Sequence, residues 1–454
     1  MNFSYTDEQI MIEQSANDFF SQVCPVSVTR ETMGSEQGYD RELWQRICDD
    51  MFFHGILIPE QYGGLGLGYV ELCIVLEKIG AQLVNSPFHA SACMATTALL
   101  LAADDTQKTH YFERLLQGEI ATLAYTSVNV GTERGWGCDA VEVSFTKQGH
   151  QYVLNGTYRY VPYGHHAQWL ILAAREQGIE GEQGIRLFVI DADNASISPK
   201  HLPTMDQTQN LAHIHLENLI LDASNLLASD HHASETLMAA IAAGQIGLAA
   251  EQLGGTQAVL DQTVQYTQQR TQFNRTIASF QAVKHQAADM MLKAEASRSA
   301  VYYAACIADT ALLTAQTQPD QADLQQAASI AKSYCSEAYF FNASTALQLH
   351  GGVGFTWEFD VHLYFKRAQS SGVLLGSSAY HHQQLADQLL GQLGRNHLQN
   401  NKLGSNKLES HKLESHSLEN HSLENNALES STLKNNTLAS QTLKSEEPQQ
   451  GTTL

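Results

Sequence analysis

The sequence is short of basic residues. Lysine and arginine together number 26 against 48 aspartate and glutamate residues, so the 454-residue chain has a formal net charge of −22. This acidic balance argues against nucleic acid and anionic membrane surfaces as partners, because both would repel it. An anionic ligand would need locally clustered lysine and arginine side chains.

Long apolar runs and a secretion signal are also missing. No run reaches about 18 apolar residues, the length that a membrane-spanning helix requires. The chain starts MNFSYTDEQ, which is polar and acidic, whereas a signal peptide begins with basic and then apolar residues. We therefore expect no membrane span and a cytoplasmic location.

Cysteine is sparse, and no metal-ligand pattern is present. The seven cysteines are scattered, odd in number and free of C-x-x-C spacing, which is typical of a reduced cytosolic protein. Histidines occur in close pairs, but no cysteine or carboxylate completes a ligand set near them, so we expect no metal site. The pairs are His165–His166, His213-x-His215, His231–His232 and His381–His382.

Hydrophobic periodicity divides the chain into regions. Residues 1–120 predict a helical N-terminal domain that begins with a capping box at Thr6. Residues 121–225 change to a period of two and predict a middle antiparallel β-barrel or sandwich domain, with a hairpin turn at Asn155-Gly156. Residues 226–393 return to long helices and predict a C-terminal four-helix bundle, so the fold class is α+β, mainly α. Helices are expected near 40–52, 69–83, 87–102, 105–117, 234–269, 276–312, 321–350 and 376–392.

Residues 394–454 form a tail of different composition. Leucine recurs every five positions from Leu403 to Leu443, among serine, asparagine, histidine, glutamate and lysine. Five residues turn a helix by about 500°, so successive leucines lie about 140° apart and make no apolar stripe. In a strand the odd period alternates faces. We interpret the tail as disordered, with a docking role as the alternative.

Two motifs in the C-terminal region carry the main functional signal. The segment QLHGGVGFTWE (348–358) ends a helical pattern at paired glycines, which let backbone approach a flat or phosphorylated ligand. The segment RTQFNRTIASFQ (270–281) precedes it in the chain. Taken alone, each has an ordinary explanation as a helix cap, a solvated arginine or a core phenylalanine. Together they resemble the flavin-binding signatures of the acyl-CoA dehydrogenase family.

The resemblance covers about residues 1–392. The loop Pro59–Gly68 and the segments Gln281–Met290 and Asp360–Ala368 match the same family in the same order. The resemblance implies non-covalently bound FAD, a homo- or hetero-tetramer, and oxidation of an acyl-CoA to its 2,3-enoyl form. It also implies an electron-transfer acceptor protein as a partner.

Individual cofactor-binding residues also follow from the resemblance. Arg270 would pair with the FAD pyrophosphate through two hydrogen bonds. Phe273 would pack against the cofactor, and Gln281 would contact it through its amide. The adenosine side of a neighbouring subunit's FAD would meet Gln348, Gly351 and Gly352.

The catalytic base of the family has no counterpart in the sequence. The reaction needs a carboxylate that removes the proton next to the thioester carbonyl. Family members usually place a glutamate where this chain has Gly376, and a minority place it where this chain has Gly244. Glu251 shares the helix face of Gly244 to within about 20° but lies about 10.5 Å further along the axis. We expect an ion-paired role for Glu251, and the catalytic residue stays unassigned.

The middle region departs from the family pattern as well. A flavin-contacting Thr-Glu-Pro segment of the family is represented only by Thr126-Ser-Val, and the aromatic-Thr pair that touches the flavin ring reads Tyr160-Val161-Pro162. Proline offers neither a hydroxyl nor an N–H donor. Tyr160 keeps the ability to stack on a flat ring.

Three functional hypotheses remain open. The first is an FAD-dependent acyl-CoA dehydrogenase with an unusual base, in which the Gly376 N–H would polarise the thioester carbonyl. The second is a non-catalytic FAD-binding subunit whose partner chain supplies the glutamate. The third is a CoA-thioester binding protein without flavin.

Overall fold

The computed structural model describes residues 4–35, 38–127, 135–227, 233–313 and 321–391. The first helix begins at the expected capping box. The Thr6 hydroxyl accepts the Gln9 N–H at 3.2 Å, and the Gln9 side chain accepts the Thr6 N–H at 3.0 Å. The N-terminal α-helices are α1 (Asp7–Val23), α2 (Val26–Met33), α3 (Arg41–Asp49), α4 (Tyr69–Ala81), α5 (Thr96–Ala102) and α6 (Asp105–Leu116).

The stretch expected as one helix over 87–102 contains two kinds of helix. His89–Ala95 form π-helical turns, all of them buried, and α5 continues from there. A π-helical turn holds an extra residue, which changes the side chains that face a neighbouring element, and such turns are frequent at functional sites. In this chain the π-helical segment supplies His89 and Met94 to two cavities.

A seven-stranded sheet forms the middle region, in the order β1-β4-β2-β3-β7-β6, with β5 also paired to β4. β1 and β2 run parallel to β4, and the remaining pairs are antiparallel. The predicted β-region between two helical regions is confirmed, and the two parallel pairings depart from the antiparallel pattern expected. The strands are β1 (Ala121–Ala124), β2 (Ser144–Gln148), β3 (Gln151–Pro162), β4 (Trp169–Glu176), β5 (Ile185–Asp191), β6 (Ile197–Leu202) and β7 (Leu211–Asp222).

The predicted hairpin turn at Asn155-Gly156 is wrong. β3 runs through both residues, and Gly156 lies at a register shift against β7 with a φ of +140°. The turn between β2 and β3 lies instead at Gly149, whose φ is +64°. Asn-Gly suits a bulge as well as a turn, because both need unusual φ values. The pairing of β3 with β7 across Asn155-Gly156 shows that these residues form a bulge and not a turn.

The C-terminal region is helical and is organised around one long helix. The helices are α7 (Ala233–Gln269), α8 (Gln281–Leu313), α9 (Gln321–His350), α10 (Val361–Ser371) and α11 (378–391). The helix expected from 276 begins at Gln281, because a short hairpin, β8 (Thr271–Gln272) and β9 (Arg275–Thr276), occupies the preceding residues. α7 packs against α4, α8 and α9.

α7 is long and apolar enough to cross a membrane by length and composition, and it is the one such helix among the described residues. However, 83% of its most apolar window is buried inside the protein. Core helices of globular proteins meet the same criterion, so α7 is here a core helix.

The described residues up to Asp387 form one compact unit. Helices precede residue 120, strands occupy 121–222, and helices follow from 233. The domain boundaries near 120 and 225 remain a prediction. The tail, 394–454, and the pair His231–His232 lie outside the described residues.

Candidate functional site

A small cavity lies between the sheet and the helices. Its walls come from the end of β1, the end of β3, the π-helical segment and the turn after α10. Tyr160, at the end of β3, has a φ of +55°, next to a register shift against β7. Such a conformation is uncommon for a non-glycine residue and marks a locally constrained backbone. The lining residues are Met94, Leu123, Tyr125, Thr126, Trp136, Arg159, Tyr160, Val161, Pro162, Leu374 and Leu375.

Two hydroxyl groups in this first cavity have no partner in the part of the protein that the structure describes. Tyr125 Oη and Thr126 Oγ1 are buried, and neither has a hydrogen-bond partner among the described residues. Burial raises the pKa of Tyr125 well above its usual range, so its hydroxyl keeps its proton. An unpaired buried hydroxyl costs about 1–3 kcal/mol. The arrangement therefore suits a ligand that brings polar atoms to this wall.

A second small cavity lies next to the first and shares Pro162 and Leu374 with it. Its lining is more polar. Its residues come from the loop after α4, the π-helical segment, the loop before β7, α7 and α10. They are Val84, Ser86, His89, Ala90, Pro162, Tyr163, Gln209, Asn210, Leu211, Glu251, Arg367 and Leu374.

A buried charged cluster forms the far side of the second cavity. Arg367, only 3% exposed, lies 3.2 Å from an Asp206 carboxylate oxygen and 3.4 Å from a Glu251 oxygen. Its Nε also donates to Thr208 Oγ1 at 2.8 Å. Burial raises the pKa of Glu251, against the opposing effects of His89 and Arg367. Glu251 is thus an ion-paired residue, as expected.

Buried polar side chains donate hydrogen bonds to carbonyl groups of the turn that carries Gly376. Lys332 Nζ donates to the Gly376 carbonyl at 3.1 Å and to Ser336 Oγ at 2.9 Å. His381 Nε2 lies 3.1 Å from the Leu375 carbonyl, which can only accept, so Nε2 carries the proton. Burial, and next the nearby Lys332, lower the pKa of His381 to about 3. Burial lowers the pKa of Lys332 to about 7.

Neither glycine at the expected base positions has room for a glutamate. A Cβ on Gly376, whose φ is +109°, would lie 2.5 Å from Tyr380 Cδ1 and 2.6 Å from His381 Nε2. A Cβ on Gly244 would lie 2.8 Å from Met94 Sδ. The Gly376 N–H donates to the Val373 carbonyl at 3.3 Å, so the expectation that it polarises a thioester is not supported by this geometry.

The two C-terminal motifs meet at one end of the helices. The Tyr266 and His350 rings stack at 4.1 Å, which joins the end of α7 to the end of α9. Arg270 lies one turn beyond, since its N–H donates to the Tyr266 carbonyl, and its own carbonyl accepts the Ile277 N–H. The segments 270–281 and 348–352 therefore lie near each other at this end of the helices.

The predicted cofactor residues are all exposed there. Phe273 is 86% exposed, and no atom lies within 4 Å of a Cβ placed on either glycine of the pair. None of the six lines either cavity among the described residues. The exposed six are Arg270, Phe273, Gln281, Gln348, Gly351 and Gly352.

Sequence reasoning did not find Ser86, Gln209 or Lys332. A serine in a loop and a lysine in an Ala-rich helix carry no local signal, because their burial depends on elements distant in the chain. Arg367 is part of the family motif Asp360–Ala368, but no role of its own followed from the sequence. A buried arginine could have been suspected from its position on α10 among apolar residues.

Comparison with known proteins supports the resemblance to the acyl-CoA dehydrogenase family. The family model "acyl-CoA dehydrogenase, N-terminal domain" matches residues 6–119, and "acyl-CoA dehydrogenase, C-terminal domain" matches residues 234–390. The chain is 30% identical over 372 residues to acyl-CoA dehydrogenase IpdE2 of Mycolicibacterium smegmatis, covering 82% of this chain and 95% of that protein. The chain belongs to the acyl-CoA dehydrogenase family.

Other members of the family show different activities and assemblies. The chain is 29% identical to the 3-(aryl)acrylate reductase of Clostridium sporogenes, covering 85% of this chain and 99% of that protein. The crystal structure of the ChsE4–ChsE5 complex from Mycobacterium tuberculosis matches with a TM-score of 0.76 at 25% identity, covering 86% of this chain and 99% of the solved chain. The family contains both dehydrogenases and reductases, so membership alone leaves the direction of the reaction open.

Acyl-CoA dehydrogenases are FAD-dependent oxidoreductases that act on a CH–CH bond. The residues present in this chain fit such a cofactor. Tyr125 and Thr126 offer buried hydroxyls that are unpaired within the described ranges, and the Trp136 and Tyr160 rings lie 6.2 Å apart in the same cavity. A flavin ring has polar edges and a flat face, which match these hydroxyls and rings.

Proposed function

We propose that this chain is an FAD-dependent acyl-CoA dehydrogenase that oxidises an acyl-CoA thioester to the 2,3-enoyl-CoA. The supporting observation is the first cavity, where two unpaired hydroxyls and two aromatic rings lie against the Leu374–Leu375 turn. FAD, when bound, supplies the acceptor for the hydride that leaves the substrate. The protein's task is to bind, orient and exclude water from the reacting carbons.

Six exposed residues are proposed to hold the cofactor. Arg270 would pair with the FAD pyrophosphate. The Phe273 ring and the Gln281 amide would contact the same cofactor. Gln348, Gly351 and Gly352 would meet the adenosine part of a neighbouring subunit's FAD. Gly351 has a φ of +65° and open space around it, which allows close approach of backbone to a ligand. Their exposure in a single chain supports a site completed by a second subunit.

We further propose a cytoplasmic homo- or hetero-tetramer that passes electrons to an acceptor protein. An acidic protein needs local positive charge to bind the anionic CoA moiety. Arg270 and Arg275 lie close together in the chain at the exposed end of α7. This placement supports binding of the phosphate groups of FAD and CoA at this exposed surface, with the flavin ring in the first cavity.

A second candidate function is favoured by the two glycines. Because Tyr380, His381 and Met94 fill the space beside them, a glutamate fits neither position without movement. The chain would then be a non-catalytic FAD-binding subunit of a heteromeric acyl-CoA dehydrogenase, and a partner chain would supply the base. The ChsE4–ChsE5 structure, which this chain resembles, is a complex of two named proteins.

A visible spectrum of the gently purified protein tests the proposal. We expect a flavin band near about 450 nm, which is a property of the cofactor, and its anaerobic bleaching by at least one acyl-CoA from a panel of straight, branched and ring-containing acyl groups. Because one relative is a reductase, reduced protein should also be mixed with the matching enoyl-CoAs. Absence of a flavin band would favour the flavin-free CoA-thioester binder.

Arg270→Ala provides the matched test of the cofactor site. Loss of two charge-assisted hydrogen bonds should weaken FAD binding by about 10- to 100-fold, measured as the flavin-to-protein ratio after dialysis. Arg46→Ala removes an exposed arginine of α3 and should leave the ratio unchanged. Equal flavin content in Arg270→Ala and wild type would remove Arg270 from the site.

Assembly distinguishes the two candidate functions. If the chain is a non-catalytic subunit, flavin bleaching should appear only after co-expression with an acyl-CoA dehydrogenase paralogue that carries the glutamate. Bleaching at full rate by the homo-oligomer would eliminate this candidate. Flavin without bleaching in every combination would count against both.

A further inference from the structure

The second cavity is polar, buried and not used by the proposed chemistry. Ser86 and His89 are each 8% exposed, and Glu251 is 7% exposed. An unsubstituted acyl chain could contact the apolar part of this lining but would leave its buried polar groups without hydrogen-bonding partners. The composition of this cavity therefore carries information about the ligand.

Two polar atoms in this cavity have no hydrogen-bond partner among the described residues. They are Ser86 Oγ and Gln209 Oε1. The Gln209 amide nitrogen is directed at Glu251 Oε2 at 3.4 Å, which leaves its carbonyl oxygen as a pure acceptor. Ser86 Oγ can both donate and accept. A group that donates to Gln209 and accepts from Ser86 would satisfy both atoms.

The charge of the cavity excludes an anionic ligand group. One guanidinium, Arg367, faces two carboxylates, Asp206 and Glu251, so the positive charge is already matched. A further carboxylate would meet the Glu251 carboxylate, which lines the cavity, in a region of low dielectric where like charges repel strongly. His89 Nε2 is already engaged, because it donates to the Gly244 carbonyl at 2.8 Å.

Pro162 and Leu374 line both cavities, so the second cavity lies directly beside the first, where the flavin ring is proposed to bind. We infer that the acyl group bound here carries a neutral hydroxyl group, placed between Ser86 and Gln209 in the second cavity. This inference rests on the proposed function, since it assigns the substrate class of the same site. A hydroxyl is the simplest group that both donates and accepts.

Matched acyl-CoA pairs test the inference on the FAD-loaded, full-length protein. Each pair has one carbon skeleton, with and without a terminal hydroxyl, and the series increases in chain length. We expect one length at which the hydroxylated ligand binds about tenfold more tightly by calorimetry, the effect of one net hydrogen bond. Terminal oxo ligands should rank between the two, and terminal carboxylates should bind most weakly. Equal or tighter binding of the unsubstituted ligand at every length would overturn the inference.

The variant Ser86→Ala links the preference to this cavity. It should bring the ratio between the two dissociation constants close to one, whereas Ser198→Ala, on the exposed strand β6, should keep it near tenfold. Since Ser86 Oγ has no partner in the described protein, Ser86→Ala should melt no lower than wild type without ligand. A preference that survives Ser86→Ala would place the hydroxyl elsewhere and overturn the inference.

Failure of the inference and failure of the proposed function give different results. A protein that binds flavin and is bleached by acyl-CoAs, but shows no preference for a hydroxyl group, overturns only the inference. A protein that binds neither flavin nor any acyl-CoA overturns both.

Discussion

Lys332 shows how much a single buried side chain can depend on its surroundings. It is fully buried in α9, and no carboxylate pairs with it among the described residues. Burial of a cation without a counter-charge favours the neutral amine, which lowers the pKa of Lys332 to about 7. The neutral amine can still donate to the Gly376 carbonyl and to Ser336.

Stability of the folded chain should therefore change with pH through Lys332. Between about pH 7 and the ordinary lysine pKa near 10.4, the unfolded chain holds a proton that the folded chain lacks. This group alone makes the free energy of unfolding rise with pH across that window, by up to about 1.4 kcal/mol per pH unit. Lys332→Met removes the contribution, so urea unfolding from pH 7 to 9 should show a smaller slope in the variant.

The comparison of slopes is needed because other groups titrate in the same range. Burial raises the pKa of several cysteines and tyrosines, including Cys24 to about 11, and these groups lower stability as pH rises. They are common to both proteins and cancel in the difference. Parallel curves for wild type and Lys332→Met would mean that Lys332 stays charged in the folded state.

At the scale of elements, the contact between α4 and α7 depends on glycine. A Cβ on Gly254 would lie 1.8 Å from the Glu77 carbonyl oxygen, and a Cβ on Gly80 would lie 2.0 Å from the Glu251 carbonyl oxygen. Both clashes are with backbone, which cannot rotate away. The two helices can approach this closely only where each presents a glycine.

Gly254→Ala should accordingly destabilise the protein by about 1–3 kcal/mol or more, since overpacking forces the helices apart. The measurement is the free energy of unfolding from denaturant titration. Gly247→Ala, on the same helix, is the control: its Cβ would meet only side-chain atoms, at 3.0 Å or more. That variant should lie within about 1 kcal/mol of wild type, because alanine also favours the helix. Equal effects of both substitutions would mean that the close contact contributes little.

At the scale of the whole molecule, the Arg367 cluster joins the middle and C-terminal regions. Asp206 and Thr208 precede β7 in the sheet region, Glu251 lies on α7, and Arg367 lies on α10. Three separate segments thus meet at one guanidinium. The guanidinium and both carboxylates are buried, so loss of one of these charges leaves another uncompensated in the interior.

Arg367→Ala should reduce the free energy of unfolding by about 3–5 kcal/mol, because two buried carboxylates lose their counter-charge. Arg367→Lys should rescue it only in part, since an ammonium cannot reproduce the guanidinium geometry. Arg46→Ala breaks an exposed pair with Asp50 and should cost less than about 1 kcal/mol. An Arg367→Ala protein as stable as the Arg46→Ala protein would contradict a structural role for the cluster.

Features that depend on near neighbours in the chain could be predicted from the sequence. The capping box at Thr6, the long helix from residue 233, and the change from helices to strands and back follow from patterns a few residues long. The motifs at 270–281 and 348–358 were likewise sufficient to indicate the family. Such features can be predicted from the sequence because the interacting residues are close together in the chain.

How distant segments combine depends on three-dimensional contacts that no local pattern contains. Asn155-Gly156 became a bulge because β7 pairs across it, and the helix expected from 276 begins later because a hairpin precedes it. Ser86, Gln209, Glu251 and Arg367 reach one cavity from four separate segments. Burial and charge in such a cavity are sums over many contacts, so no pattern within one segment could indicate them.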